Sequence, residues 1–220
     1  MAQLHFRILG CGSSGGVPRL GGNWGLCDPS NPKNYRRRCS LLVEKHSDGG
    51  ITRVLVDTSP DLRSQLLDAG VGTLDGVVYT HSHADHVHGL DDLRMIVFNM
   101  REKLKVWADG PTSERLMADF SYVFLTPEGS SYPPILELNA LQETTLINGD
   151  GGEIEIKPFF IIGAPYLLCF NAPLYPKFFN NKFLHSISLN LFLLDISFVK
   201  RFCFFSSAKL SSIVHIPIFL

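Results

Sequence analysis

The stretch "YTHSHADHVHGLDDLR", Tyr79 to Arg94, constrains this chain more than any other. From His81 onward it packs four histidines and three aspartates into fourteen positions, out of eight histidines in the 220-residue chain. These donors follow the apolar run "LDGVVYT", so the fold must deliver the end of a buried strand to a metal site. His81 and His83, two apart in HxHxDH, can converge on one ion from a loop. Asp85 and His86 can turn toward a second, and ion pairs about 3.5–4 Å apart are typical of two-metal hydrolases. A lone histidine is ordinarily a surface or satisfied core residue. Four ligating side chains in six positions, directly ahead of Gly89, have no comparable packing explanation.

The elements around this stretch read as α/β. "LHFRILG" (4–10) alternates as a strand, and residues 26–38 form a polar, basic loop. "CSLLVEKH" and "ITRVLVD" are strands joined by the hairpin signal "SDGG". "SPDLRSQLLDAG" predicts a helix with Ser59 as N-cap, Pro60 in the first turn and Gly70 as the stop. "KLKVWAD" is a further strand, and "PTSERLMADFSYVF" a helix beginning after Pro111. Strands are expected at 135–138, 144–147 and 153–158. Asp91 and Asp92 are placed to cap a short following helix. His88 and Arg94 are candidate substrate contacts, with a solvated loop histidine and a structural ion pair as the plainer readings.

Gly10-Cys11-Gly12-Ser13-Ser14-Gly15 matches the dinucleotide fingerprint in form only. That motif needs its last glycine to open a helix. Here Pro18, Gly21, Gly22 and Gly25 follow, so no helix starts. What remains is a glycine-rich loop able to approach a ligand or the wall of a metal site closely. "KNYRRR" (33–38) is a solvated charge run or an attractor of phosphorylated substrate. Cys27 and Cys39 flank it without CxxC pairing, which argues against a structural zinc between them.

Three blocks, "LGCGSSGGVPR", "VLVDTSPDLRSQLL" and "YTHSHADHVHGLDDLR", resemble the metallo-β-lactamase-fold hydrolases. More narrowly they resemble the branch around the cyclic-phosphoribose phosphodiesterase, over about residues 3–158. The resemblance implies an αβ/βα sandwich and two divalent metal ions, zinc or manganese. His81 and His83 would sit on the first ion, Asp85 and His86 on the second, with Asp85 also the catalytic carboxylate. Asp57 would stand behind them and orient a histidine N–H. The implied activity is hydrolysis of a phosphodiester, such as a cyclic phosphate, by a hydroxide held between the metals. "GSSG" and "DDLR" favour this branch over the tRNA-processing nucleases and thioester hydrolases that share HxHxDH.

The same resemblance asks for a histidine, a bridging aspartate and a late histidine from the C-terminal half. His185, Asp195 and His215 come in that order, but their surroundings do not match and those roles are not assigned to them. Composition changes near Pro158. Twelve of the sixteen phenylalanines lie in 159–220, with one glycine, Gly163, and one acid, Asp195. The chain therefore divides into an N-terminal part of such a domain, 1–158, and an atypical Phe-rich tail, 159–220. The tail reads as out-of-frame or disordered sequence standing where the C-terminal half, with most of the second sheet, would be. That leaves two rivals to a hydrolase. One is an inactive truncated relic; the other is a non-catalytic metal-binding protein whose tail associates with a membrane or a partner.

Asn190, Asp195 and the flanking Lys200 and Arg201 interrupt the most apolar tail stretch, so no membrane span is expected. A net charge of −1 gives no general pull toward nucleic acid. Five scattered cysteines and no export signal suggest a cytoplasmic protein; the resemblance implies a small phosphorylated substrate, and a homodimer stays open.

Overall fold

The computed structural model describes residues 2–161, 164–170 and 214–215, with side chains through Pro158. β1 (Gln3–Gly10) runs antiparallel to β2 (Ser40–Ser47), which turns through Asp48 and Gly49 into β3 (Gly50–Val56). From β3 the sheet becomes parallel. α1 (Leu62–Ala69) leads to β4 (Gly76–Val78); α2 (Ala84–Val87) and α3 (Leu93–Met100) lead to β5 (Leu104–Ala108). α4 (Gly110–Phe124) then leads to β6 (Leu136–Ala140). β7 (Thr145–Ile147), β8 (Ile154–Ile161) and β9 (Ala164–Phe170) form a second, antiparallel sheet. β10 (Val214–His215) pairs with the outer edge of β1, giving the order β10-β1-β2-β3-β4-β5-β6.

The central strands are apolar on both faces, as strands covered on both sides must be. Leu42, Leu55 and Val77 face the helices, where Leu62 and Leu66 of α1, Leu93 and Ile96 of α3 and Leu116 of α4 pack. Leu41, Val43, Val54, Val56 and Val78 face the other way, onto Ile147, Ile154 and Ile156. Burial of each such side chain contributes about 1.5–3 kcal/mol. The sequence led us to expect a largely absent second sheet and a bare apolar face. Three strands of that sheet are present among the described residues, and β8 runs across the change in composition at residue 158. The two sheets are joined where the Thr52 hydroxyl donates to the Gly152 carbonyl (2.6 Å) and Lys45 to the Glu153 carbonyl (2.7 Å). The stretches 171–213 and 216–220, with His185 and Asp195, lie outside the described residues, as does the side chain of His215.

Two helix starts differ from the sequence reading. α1 begins at Leu62 behind Asp61, because the Ser59 hydroxyl is drawn away to Gln65 Oε1 (2.9 Å) and accepts from the Asp61 N–H (3.2 Å). Gly70 ends α1 in the left-handed region (φ 68°), as expected of a helix stop. α4 starts one residue before Pro111, capped by Asp109, whose carboxylate accepts from Thr112 N–H at 3.0 Å. Among the described residues, no helix is long and apolar enough to cross a membrane.

Candidate metal centre

The parallel strands β3 and β4 end side by side, and the candidate centre grows from those ends. β3 delivers Asp57, fully buried, in the left-handed region (φ 60°). Aspartate tolerates that conformation better than most residues, at a cost of about 1–3 kcal/mol. Its carboxylate accepts three hydrogen bonds: from Thr80 N–H (2.8 Å), from the Thr80 hydroxyl (2.7 Å) and from His86 Nδ1 (2.7 Å).

These bonds fix the histidine tautomers through the network. Thr80 spends its proton on Asp57, so its oxygen accepts from His81 Nδ1 at 2.9 Å. His81 then presents the lone pair of Nε2, which lies 3.1 Å from His83 Nδ1. Two nitrogens on one tetrahedral zinc, each about 2.0–2.1 Å from it, would stand roughly 3.3 Å apart. The pair is therefore close to a two-nitrogen bite. His86, its Nδ1 held by Asp57, directs Nε2 toward Asp85 Oδ2, 3.4 Å away. The His81 and His86 rings sit with centroids 4.0 Å apart. Donor atoms of Asp57, His81 and His86 all fall within 4.8 Å of one another.

The imidazoles of half-buried His81 and buried His86 titrate in opposite directions. Burial, reinforced by the neighbouring His86, pushes His81 down to about 4. Burial also opposes a charge on His86, but Asp57 and Asp85 together outweigh it and carry His86 up to about 9. Nitrogen and carboxylate donors of this kind suit zinc or manganese.

A second set of bonds clamps the site loop to the loop after β3. Thr58 N–H donates to the His86 carbonyl (2.8 Å), and the Thr58 hydroxyl meets Tyr79 Oη (3.1 Å) and the Val87 carbonyl (3.2 Å). Gly89 N–H donates to the Thr58 carbonyl (2.9 Å). A Cβ at Gly89 would stand 2.0 Å from the Ser59 carbonyl oxygen, so this crossing requires glycine.

Of the residues singled out from sequence, Asp57, His81, His83, Asp85 and His86 come together. His88 is exposed at the end of α2 with its ring edge-on to Phe120, centroids 5.7 Å apart. Arg94 is half-buried on α3 near Tyr122, whose hydroxyl is pushed up by burial and by Asp91 against the smaller opposing pull of Arg94. Asp91 does not cap α3; it accepts from Tyr122 Oη at 2.6 Å, and Asp92 occupies the cap position without a side-chain bond. Two glycines of the glycine-rich loop approach backbone closely. A Cβ at Gly10 would lie 2.0 Å from the Arg38 carbonyl, and one at Gly12 2.8 Å from that of Arg37. Arg38 pairs with Asp61 through two guanidinium nitrogens (2.9 and 2.6 Å), and Arg37 reaches Asp68 (2.8 Å), so both fasten the loop to α1. Cys27 is half-buried, whereas Cys39 is fully buried and donates to the Gly12 carbonyl at 3.4 Å. Thr80 was not foreseen; its place between the strand and His81 was the available signal.

The family model described as "Beta-lactamase superfamily domain" matches residues 52–164, which include every residue of this centre. A diphosphatase from the PhnP family, of known crystal structure, is 31% identical with a TM-score of 0.62, over 78% of this chain and 63% of its own. The octanoyltransferase of Porphyromonas gingivalis (strain ATCC BAA-308 / W83) is 41% identical over 133 residues, 60% of this chain and 25% of that protein. The ribonuclease Z of Bradyrhizobium sp. (strain ORS 278) is 39% identical over 66 residues, 29% of this chain and 21% of that enzyme. The chain thus spans a quarter or less of these two curated relatives, and under two thirds of the diphosphatase.

Proposed function

This chain belongs to the β-lactamase superfamily and has the metallo-β-lactamase fold, and from that premise we propose that it is a metal-dependent phosphodiesterase acting on a small phosphorylated substrate. The observation that carries the reading is the 3.1 Å approach of His81 Nε2 and His83 Nδ1 beside a His86 locked by Asp57. The similar diphosphatase and ribonuclease Z support phosphorus as the reacting centre, since both names denote phosphoryl chemistry.

In this reading His81 and His83 hold one divalent ion, and Asp85 and His86 hold the other. When bound, such ions neutralise phosphoryl oxygens and lower the pKa of water near them. The chain's own residues set the geometry. Asp57 and Thr80 fix the ring orientation and tautomer of His81 and His86, which keeps Nε2 of each available as a donor. Asp85 adds a negative charge beside His86 and is the carboxylate positioned to handle a proton. His88, exposed at the end of α2, and Arg94 are assigned to the substrate phosphate.

His86 bears a proton up to about pH 9 in the metal-free chain, and that proton must leave for its Nε2 to bind an ion. Metal affinity therefore rises with pH until about 9. The test is metal content and turnover of bis(p-nitrophenyl) phosphate by the purified chain with zinc or manganese. His83 is exposed, so His83→Ala should leave the unfolding midpoint unchanged while turnover falls by about 100-fold or more. Stoichiometric metal without phosphodiester turnover would refute the proposal, as would turnover indifferent to His83→Ala.

A further inference from the structure

A second group of metal-binding side chains lies at the opposite end of the main sheet. β1 and β2 pair His5 with Glu44 and Gln3 with His46, so His5, Glu44 and His46 emerge on one face. The His5 and His46 rings lie with centroids 4.4 Å apart, tilted by 43°. Glu44 Oε1 accepts from Arg53 Nε (2.9 Å), which leaves Oε2 facing His46 Nε2 at 3.8 Å. That nitrogen is shut off from solvent and has no hydrogen-bond partner among the described residues. An unsatisfied buried polar atom forfeits its solvation, so a native sheet retains one where something else completes it. On the next strand out, β10 places the backbone of His215 beside His5.

We propose that His5, His46 and Glu44 form a structural metal site that takes one zinc-class transition ion and clips β1 to β2. Two imidazole nitrogens and one carboxylate oxygen are a donor set zinc accepts, with water in its remaining position. Unlike Asp57, His81 and His86, the donor atoms of these three do not yet all lie within 4.8 Å of one another, and the soft outer torsion of each imidazole is what would close the rings on one ion. Arg53 holds the Glu44 carboxylate in place from behind, as a supporting partner does for a metal ligand. His46 pairs alongside Ile51 at the start of β3, whereas Asp57 follows its end. Six residues of strand put the two centres about 20 Å apart, so they load independently.

The test is zinc titration of the full chain in which His81→Ala, His83→Ala and His86→Ala have emptied the other centre. One zinc per chain should still bind, and His46→Gln or His5→Gln should each weaken it by about tenfold or more. Cobalt in the same site should give ligand-field bands without the thiolate charge-transfer band of a cysteine site. If the triple variant does not fold, His46→Gln in the unaltered chain should lower bound zinc by one equivalent and leave phosphodiester turnover as it was. A chain whose zinc uptake ignores both histidine substitutions overturns the site, as does a thiolate band. So does a triple variant that folds and binds no zinc, which would leave a buried water on His46 Nε2.

Discussion

Two irregular segments lie next to each other at the strand ends, and they are held in opposite ways. The junction of residues 57–59 with 80–89 is buried; Asp57, Thr58 and Ser59 are fully covered, and its polar atoms bond to one another. The loop from Cys11 to Arg38 is largely exposed, with Leu20 and Leu26 standing wholly in solvent, and Arg37 and Arg38 moor its end to α1. In the first segment every group depends on its neighbours, because a buried donor or acceptor left unpaired forfeits its solvation. In the second, water replaces most lost contacts at little cost. A rigid scaffold at the candidate ligands beside a forgiving loop is the contrast to be tested.

The largest effect should come from Asp57→Asn. It removes the charge that organises Thr80 and His86, and we expect metal affinity to fall by about 10–100-fold. Stability should fall by about 3 kcal/mol, read by chelator competition and urea unfolding. Wild-type affinity in this variant would mean that the junction is no more cooperative than the loop. Gly89→Ala comes next, at about 2 kcal/mol, because its new methyl meets the Ser59 carbonyl, a backbone atom that cannot rotate away. A normal unfolding midpoint there would show that the crossing can relax.

On the loop side, Asp61→Asn should cost only about 1 kcal/mol, since both partners of the Arg38 pair are partly solvated. Its signature is pH dependence. The bond from Arg38 holds the Asp61 carboxyl below its ordinary range. Its contribution is therefore full above the unfolded carboxylate value and is lost as pH falls through the lower folded one. Wild type and Asp61→Asn should converge in stability at acid pH; a constant gap would contradict this. Smallest of all, Leu20→Ser should change stability by less than about 0.5 kcal/mol, and a larger loss would reveal a contact for an otherwise bare side chain.

Much of this was legible in the chain. "ITRVLVD" read as a strand because its apolar residues are contiguous, and the "SDGG" turn marked the hairpin that β2 and β3 form. HxHxDH specified donor chemistry because spacing within six residues is local. The helix starts were less legible: Ser59 is a good cap by residue type, and only the presence of Gln65 beside it diverts its hydroxyl.

The sequence by itself determined which atoms can bind metal and that they follow a buried strand. Tertiary structure decided which nitrogens are left to do so. Asp57 reaches Thr80 and His86 across 23 and 29 positions in the chain, and in a left-handed conformation that no periodicity announces. It likewise turned two of the loop's arginines into ties for α1 and set His5 beside His46 from separate strands. The reason is common to all three: donor chemistry belongs to a residue, whereas tautomer, charge and partner belong to a contact, and these contacts exist only once the strands have paired.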